Sequence, residues 1–255
     1  MRGCTWHTLL AAPVAVVGLV LGQADAARAA SFSVNPIQIT LSASAKSALL
    51  TVKNETDLPV RFQVTLFAWS QDPSGQMVLA ATQDVAFFPA LLTLKPHEER
   101  KVRVGATVPP AAVEKTYRIF IEELPPLEKP EAPSGVTMLT RMGIPIFLQP
   151  AKVSSQAALR DLAVKGGHFG FRLLNTGTVH FIPQAVLVRG VDAAGAVVID
   201  QKANGWYVLA GGVRVFDLGL DEKACSQVRS LTAEVTLGGT TLKESLQTPG
   251  GACAR

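Results

Sequence analysis

The chain has 255 residues, enough for two domains of ordinary size. Its 24 Lys and Arg against 20 Asp and Glu give a formal net charge of +4. The basic residues are scattered and no run of them interleaves with aromatics, so the sequence offers no footing for nucleic-acid binding.

Residues 1–29 read as a secretory signal peptide. Arg2 starts it, Leu9 to Leu21 is an uncharged apolar run, and Ala27 and Ala29 are small residues that place cleavage after Ala29. A membrane anchor is the competing reading, but the run is short for a span. Cys4 precedes the run, which argues against a lipid anchor. No later segment has 18 uninterrupted apolar residues, so the mature chain is expected to have no integral membrane segment. Removal of the signal takes two arginines and one aspartate, lowering the formal net charge by one. Cys225 and Cys253 remain, and an even count in an oxidising compartment suggests one disulfide; a reducible pair or two free thiols is the alternative.

The mature chain reads as strands nearly throughout. Phe32 to Val34 alternates, Asn35-Pro36 interrupts, and Ile37, Ile39 and Leu41 alternate in the opposite phase. That change of phase predicts an edge strand that bends or switches sheets. Ala48 to Val52 and Val60 to Trp69 follow, separated by the turn chemistry of Asn54 to Pro59. Further turns are expected at Asp72-Pro73-Ser74-Gly75 and Leu94-Lys95-Pro96, and further strands at Lys101 to Val104 and Tyr117 to Glu122. A Pro-, Glu- and Lys-rich loop covers Pro125 to Gly135, and Val136 to Leu148 is the longest strand candidate. Gln149-Pro150 ends it, which sets domains at 30–149 and 150–255. The second half adds strands at 169–174, 185–191, 197–199, 213–218 and 231–237, with turns such as Asn175-Thr176-Gly177 between. No amphipathic helix of three or more turns is visible. Short strands with regular turns predict an all-β chain of two β-sandwiches.

Chemistry is sparse. His97, His168 and His180 stand apart, without metal-ligand spacing. There is no G-x-S-x-G elbow, phosphate loop or dinucleotide fingerprint. Glu122 and Glu123 are adjacent, so a strand sends them to opposite faces. No enzyme activity, cofactor or metal is expected.

Three stretches carry a resemblance: YRIFIEELPP at 117–126, RMGIPIFLQP at 141–150, and Val52-Lys53-Asn54 followed by Pro59. In the second half, Asn175-Thr176-Gly177 with His180-Phe181, and Gly205 to Leu209 with Gly211, extend it. Together these resemble the periplasmic pilus and fimbrial chaperones, the PapD-like family. The resemblance implies two immunoglobulin-like domains set in an L. It also implies a client, a pilus subunit whose sandwich lacks a strand, which the chaperone completes by donor-strand complementation before delivery to an outer-membrane usher. A secreted structural or adhesive β-sandwich protein, such as a pilus component, is the alternative function.

Alternate residues of the implied donor strand are Val136, Met138, Thr140 and Met142, then Ile144, Ile146 and Leu148. Val136, Met138, Thr140 and Met142 are expected to meet the client, and the far end to pack at home. Each apolar side chain buried would contribute about 1.5–3 kcal/mol before ordering costs. The residues also fit a plain core strand of the parent domain. The family's carboxylate-anchoring arginine and lysine are replaced by Gln38 and Pro145, so that anchor does not carry over. The R-x-x-x-P-x-F pattern from Arg141 to Phe147 looks closer to the non-classical, archaic branch. Arg118 and Arg141 are the replacement candidates, since arginine can clamp a carboxylate bidentately; two solvated surface arginines is the bland alternative. Arg141 falls on the face opposite Met138 and Met142, so one client could not easily meet both sets.

Overall fold

The computed structural model describes residues 32–72, 74–127 and 138–248. The signal segment lies outside them. Ten strands build the first sandwich: β1 (Phe32–Asn35), β2 (Ile39–Leu41), β3 (Ser47–Asn54), β4 (Val60–Gln71), β5 (Met77–Ala80), β6 (Val85–Phe88), β7 (Leu91–Leu94), β8 (Glu99–Ala106), β9 (Lys115–Leu124) and β10 (Arg141–Leu148). One sheet has the order β1-β3-β8-β6 and the other β2-β10-β9-β4-β5, with β7 also on β4. The phase change at Pro36 is a change of sheet. Phe32 and Val34 enter the core from one sheet, Ile39 and Leu41 from the other. A second switch, at Pro89 between β6 and β7, left no such signature because both strands are four residues long. Alternation fills the gap between the sheets: Leu50, Val52, Val102 and Val104 face Phe62, Tyr117, Ile119 and Ile121 in one cluster.

The second sandwich uses β11 (Ala157–Lys165), β12 (His168–Asn175), β13 (Ala185–Val191), β14 (Val197–Ala203), β15 (Val213–Gly219), the short helix α1 (Glu222–Gln227), β16 (Ser230–Leu237) and β17 (Thr240–Gln247). Its sheets run β11-β12-β15 and β14-β13-β16-β17 around Phe169, Phe171, Val186, Val188 and Val235. Both are immunoglobulin-like β-sandwiches, and they meet at a buried contact, consistent with an L.

Two asparagines explain turn motifs picked out in the sequence. Asn54 is buried; its amide nitrogen donates to the Leu58 and Lys95 carbonyls at 2.7 and 2.9 Å, and its oxygen accepts from Thr56 N at 2.9 Å. Asn175 repeats the device, donating to Val179 O and Val208 O at 2.8 and 2.9 Å and accepting from Gly177 N at 2.9 Å. Each closes its turn and satisfies loop carbonyls that would otherwise be buried unpaired.

One strand differs from its expected length. β10 begins at Arg141, not at Val136, and the twelve-residue β4 is the longest strand among the described residues. Pairing with β9 starts at Arg141 opposite Glu122, and one further bond runs from Glu123 N to Thr140 O at 3.0 Å. Met138 to Thr140 belong to no strand, and Val136 lies outside the described residues.

Candidate functional site: an open strand edge

β10 is covered unequally on its two sides. Antiparallel β9 pairs with all of it, from Arg141 to Leu148. Parallel β2 covers only Ile146 to Leu148 on the other side. Among the described residues no strand pairs with Arg141 to Pro145 on that second side. Gln149 N donates to Leu41 O at 2.9 Å, whereas Thr140 O accepts from β9, so the odd-numbered residues of β10 aim their main chain at the open side. Arg141 therefore offers an N–H and a carbonyl there, Gly143 an N–H and a carbonyl that Arg118 Nη2 touches at 3.5 Å, and Pro145 a carbonyl alone. An edge with unpaired main chain is a template for another strand.

The apolar row of β10 runs out of its own core toward this open end. Ile144, Ile146 and Leu148 are buried in the first sandwich and Met142 packs partly against it. Met138 is 80% exposed and Thr140 half-buried. The far end packs in its parent sandwich, as the sequence suggests.

The opposite face of β10 carries the arginines. Arg141 is exposed; its Nε lies 3.2 Å from Glu122 Oε2 and its guanidinium carbon 4.0 Å from the Phe120 ring centre. Phe120 can lie there because Gly143 has no side chain: a Cβ would come 2.8 Å from the ring and 3.2 Å from Arg118 Nε. Arg118 sits across from Pro145, with its guanidinium carbon 4.9 Å from the Trp69 ring centre. Nη1 donates to Met77 Sδ at 3.4 Å and Nη2 to Gly143 O at 3.5 Å, both long contacts. Nε is buried with no hydrogen-bond partner. None of the ion pairs among the described residues includes Arg118. Burial holds its pKa below the ordinary arginine value, which the nearby Tyr207 partly offsets. The two arginines thus share one face of neighbouring strands, but Glu122 occupies Arg141 and no carboxylate occupies Arg118. That face is the one opposite Met142.

The second sandwich packs against the Trp69 and Phe147 side of the first. Leu209 is buried against Trp69 and Phe147, and Tyr207 packs on the same cluster. Trp206, 44% exposed, meets Tyr207 edge to face. Gln71 and Glu114 bond across this contact; neither has a local sequence signature, and both lie outside the motifs that carry the resemblance. Cys225 is buried on α1 and disulfide-bonded, and Cys253 lies outside the described residues. Among the described residues, no group of three His, Cys, Asp or Glu could hold a metal ion, and no helix is long and apolar enough to cross a membrane.

Residues 31–154 match the family model described as the pili and flagellar-assembly chaperone, PapD N-terminal domain. No curated protein matches the chain. Among solved structures, the chain is similar to one in the CsuC–CsuE chaperone–tip adhesion subunit pre-assembly complex from the archaic chaperone-usher Csu pili of Acinetobacter baumannii. That match has 19% identity and a TM-score of 0.58, covering 85% of this chain and 98% of the other. A second, in the Salmonella enterica SafA pilin–SafB chaperone complex, has 15% identity and a TM-score of 0.55, covering 87% and 99%. A third, the Pseudomonas aeruginosa CupB2 chaperone, has 17% identity and a TM-score of 0.52, covering 85% and 100%. The structural likenesses establish the two-sandwich fold, and the first sandwich, residues 31–154, is of the PapD N-terminal domain family of pili and flagellar-assembly chaperones.

Proposed function

We propose that the chain is a periplasmic chaperone that binds and caps pilus or fimbrial subunits by donor-strand complementation and delivers them to an outer-membrane usher. The observation that carries this reading is the half-covered β10, open from Arg141 to Pro145 beside an apolar row that ends in exposed Met138. A subunit lacking one strand would take main-chain bonds from the edge and side chains from Val136, Met138, Thr140 and Met142. Methionines suit such a groove, because the unbranched thioether adapts to irregular pockets.

Arg118 is the better anchor for a client carboxylate. Its charge is desolvated and unanswered, whereas Arg141 already has Glu122. A half-buried guanidinium gains from a bidentate anion where no internal carboxylate competes.

The test is co-expression with small signal-bearing β-rich proteins encoded beside the gene, followed by purification through a tag on this chain. One of them should co-purify in a one-to-one complex from the periplasmic fraction. Recovery of the tagged chain alone, with those proteins expressed and intact, would count against the reading.

A further inference from the structure

Arg118 has one neighbour that is neither aromatic nor main chain. Met77 opens β5, and its Sδ accepts from Arg118 Nη1 at 3.4 Å. β5 is an edge strand of four residues whose partner among the described residues is β4. Met77 is 45% exposed, which opens the side chain to small solutes. Of the four methionines, Met1 belongs to the signal segment, and Met138 and Met142 belong to the apolar row of the open edge. Every thioether beyond the signal segment therefore stands at the surface offered to a client.

A thioether is a weak acceptor for a guanidinium N–H. A sulfoxide is a different group, polar and with an oxygen that accepts strongly. Oxygen added to Sδ is bonded to an atom already in contact with Nη1, so a small turn of the side chain brings it onto the guanidinium. The competing acceptors are poor: Nη2 meets Gly143 O only at 3.5 Å, and Nε has none.

We propose that Met77 is an oxidation site whose sulfoxide answers Arg118 from within the chain and so lowers its hold on a client carboxylate. The oxidant is a peroxide. A sulfur lone pair attacks one peroxide oxygen, and the S–O bond forms as the O–O bond breaks. The departing oxygen takes the proton of the transferred one and leaves as water. Sulfur loses two electrons and the peroxide gains them. The consequence for capture rests on the chaperone reading; the contact between sulfoxide and guanidinium is a property of the chain alone.

The test has two arms, both in a Met138→Leu/Met142→Leu background that leaves Met77 as the one thioether beyond the signal segment. If that background does not fold, the unaltered chain and Met77→Leu are compared instead. In the first arm, the chain alone is treated with hydrogen peroxide, which is then removed with catalase. Fragment mass spectrometry should find one oxygen added at Met77, with circular dichroism unchanged. The Arg118 side-chain N–H signal in the heteronuclear NMR spectrum, identified by its absence from Arg118→Lys, should move. Acetate, titrated as the carboxylate probe, should bind Arg118 roughly twofold to tenfold more weakly after oxidation, the weight of one hydrogen bond. Met77→Gln puts an amide oxygen near the place of the sulfoxide oxygen and should reproduce the oxidised state without peroxide. Met77→Leu should show no response to peroxide. An Arg118 signal or acetate affinity unchanged by complete oxidation at Met77, or a peroxide response that survives in Met77→Leu, would overturn the proposal. So would a Met77 that stays unoxidised under peroxide that converts Met138 in the unaltered chain.

In the second arm, denatured subunit identified by co-expression is diluted into the oxidised or the untreated chain. The oxidised chain should yield less soluble complex, and Met77→Leu equal amounts before and after peroxide. Undiminished yield alongside a moved Arg118 signal would overturn the consequence for capture. Failure of the untreated, unaltered chain to capture any subunit would sink the chaperone reading, while the spectrum would still decide the sulfoxide contact.

Discussion

The guanidinium of Arg118 lies over the indole of Trp69, 4.9 Å from carbon to ring centre, with its Nε buried and without a hydrogen-bond acceptor. The aromatic face offsets part of the cost of desolvating the charge. It does not replace an anion. A site of this kind has a free energy in reserve for a ligand that brings a carboxylate.

Arg118→Met keeps much of the side chain's apolar bulk over Trp69 and removes the charge. The variant is expected to melt no lower than the unaltered chain, because an unpaired, desolvated charge has been removed. Client affinity should fall about tenfold to a hundredfold, the loss of about 1.5–3 kcal/mol for a hydrogen bond to a charged group. Arg141→Ala should weaken capture less, since Arg141 already has Glu122. Thermal melts and competition binding separate the two effects. A melting loss in Arg118→Met with binding intact would make Arg118 structural.

Lys101 to Val104 could be read from sequence because it alternates over one buried face, and Tyr117 to Glu122 because its apolar residues also alternate, although Phe120 is buried on the opposite face. β5, β6 and β7 could not: they have four residues apiece, too few to show a period. β11 was hidden by a bulge, where Asp161 takes a positive φ of 56° and the register shifts between Arg160 and Ala163. β17 is an exposed edge strand with little apolar pattern to find. The placement of Arg118 and Arg141 on neighbouring strands followed from their motifs. That one is answered by Glu122 and the other is not depends on register, which no spacing reveals. Gln71 and Glu114 act on main chain more than 60 residues away, and a side chain's choice of a distant backbone partner leaves no local mark.

Met138 and Met142 separate two costs. Met138 is 80% exposed, so Met138→Glu should leave the melting temperature unchanged while weakening capture. Met142 packs partly against the first core, so Met142→Glu should cost about 1–2 kcal/mol of stability as well. The double variant is expected to fold and to capture no subunit. Denaturant midpoints and co-purification yields provide the check, and full-yield co-purification by the double variant would remove these side chains from the donor surface.

The hydrogen bond between Tyr117 and Asp84 should shape both ends of the pH–stability curve. Asp84 Oδ2 accepts from Lys115 Nζ at 3.0 Å and from Tyr117 Oη at 2.9 Å. The Lys115 bond first, then the Tyr117 bond, hold the carboxyl below the ordinary aspartate value. A depressed carboxyl contributes stability above its unfolded pKa of about 3.9, and that contribution is lost as pH falls through the folded value. Tyr117 behaves in the opposite sense: burial first, then Asp84, raises its hydroxyl above the ordinary tyrosine value. Its contribution is complete below an unfolded pKa of about 10 and is lost as pH rises beyond that. Asp84→Asn is therefore expected to flatten the acid limb below about pH 4, and Tyr117→Phe the alkaline limb above about pH 10. Because Asp84 is a third exposed, its effect should be the smaller and should shrink with added salt. Urea midpoints measured across both limbs decide the matter: an acid slope in Asp84→Asn equal to that of the unaltered chain would mean that the carboxylate is already free of Tyr117 and Lys115 in solution.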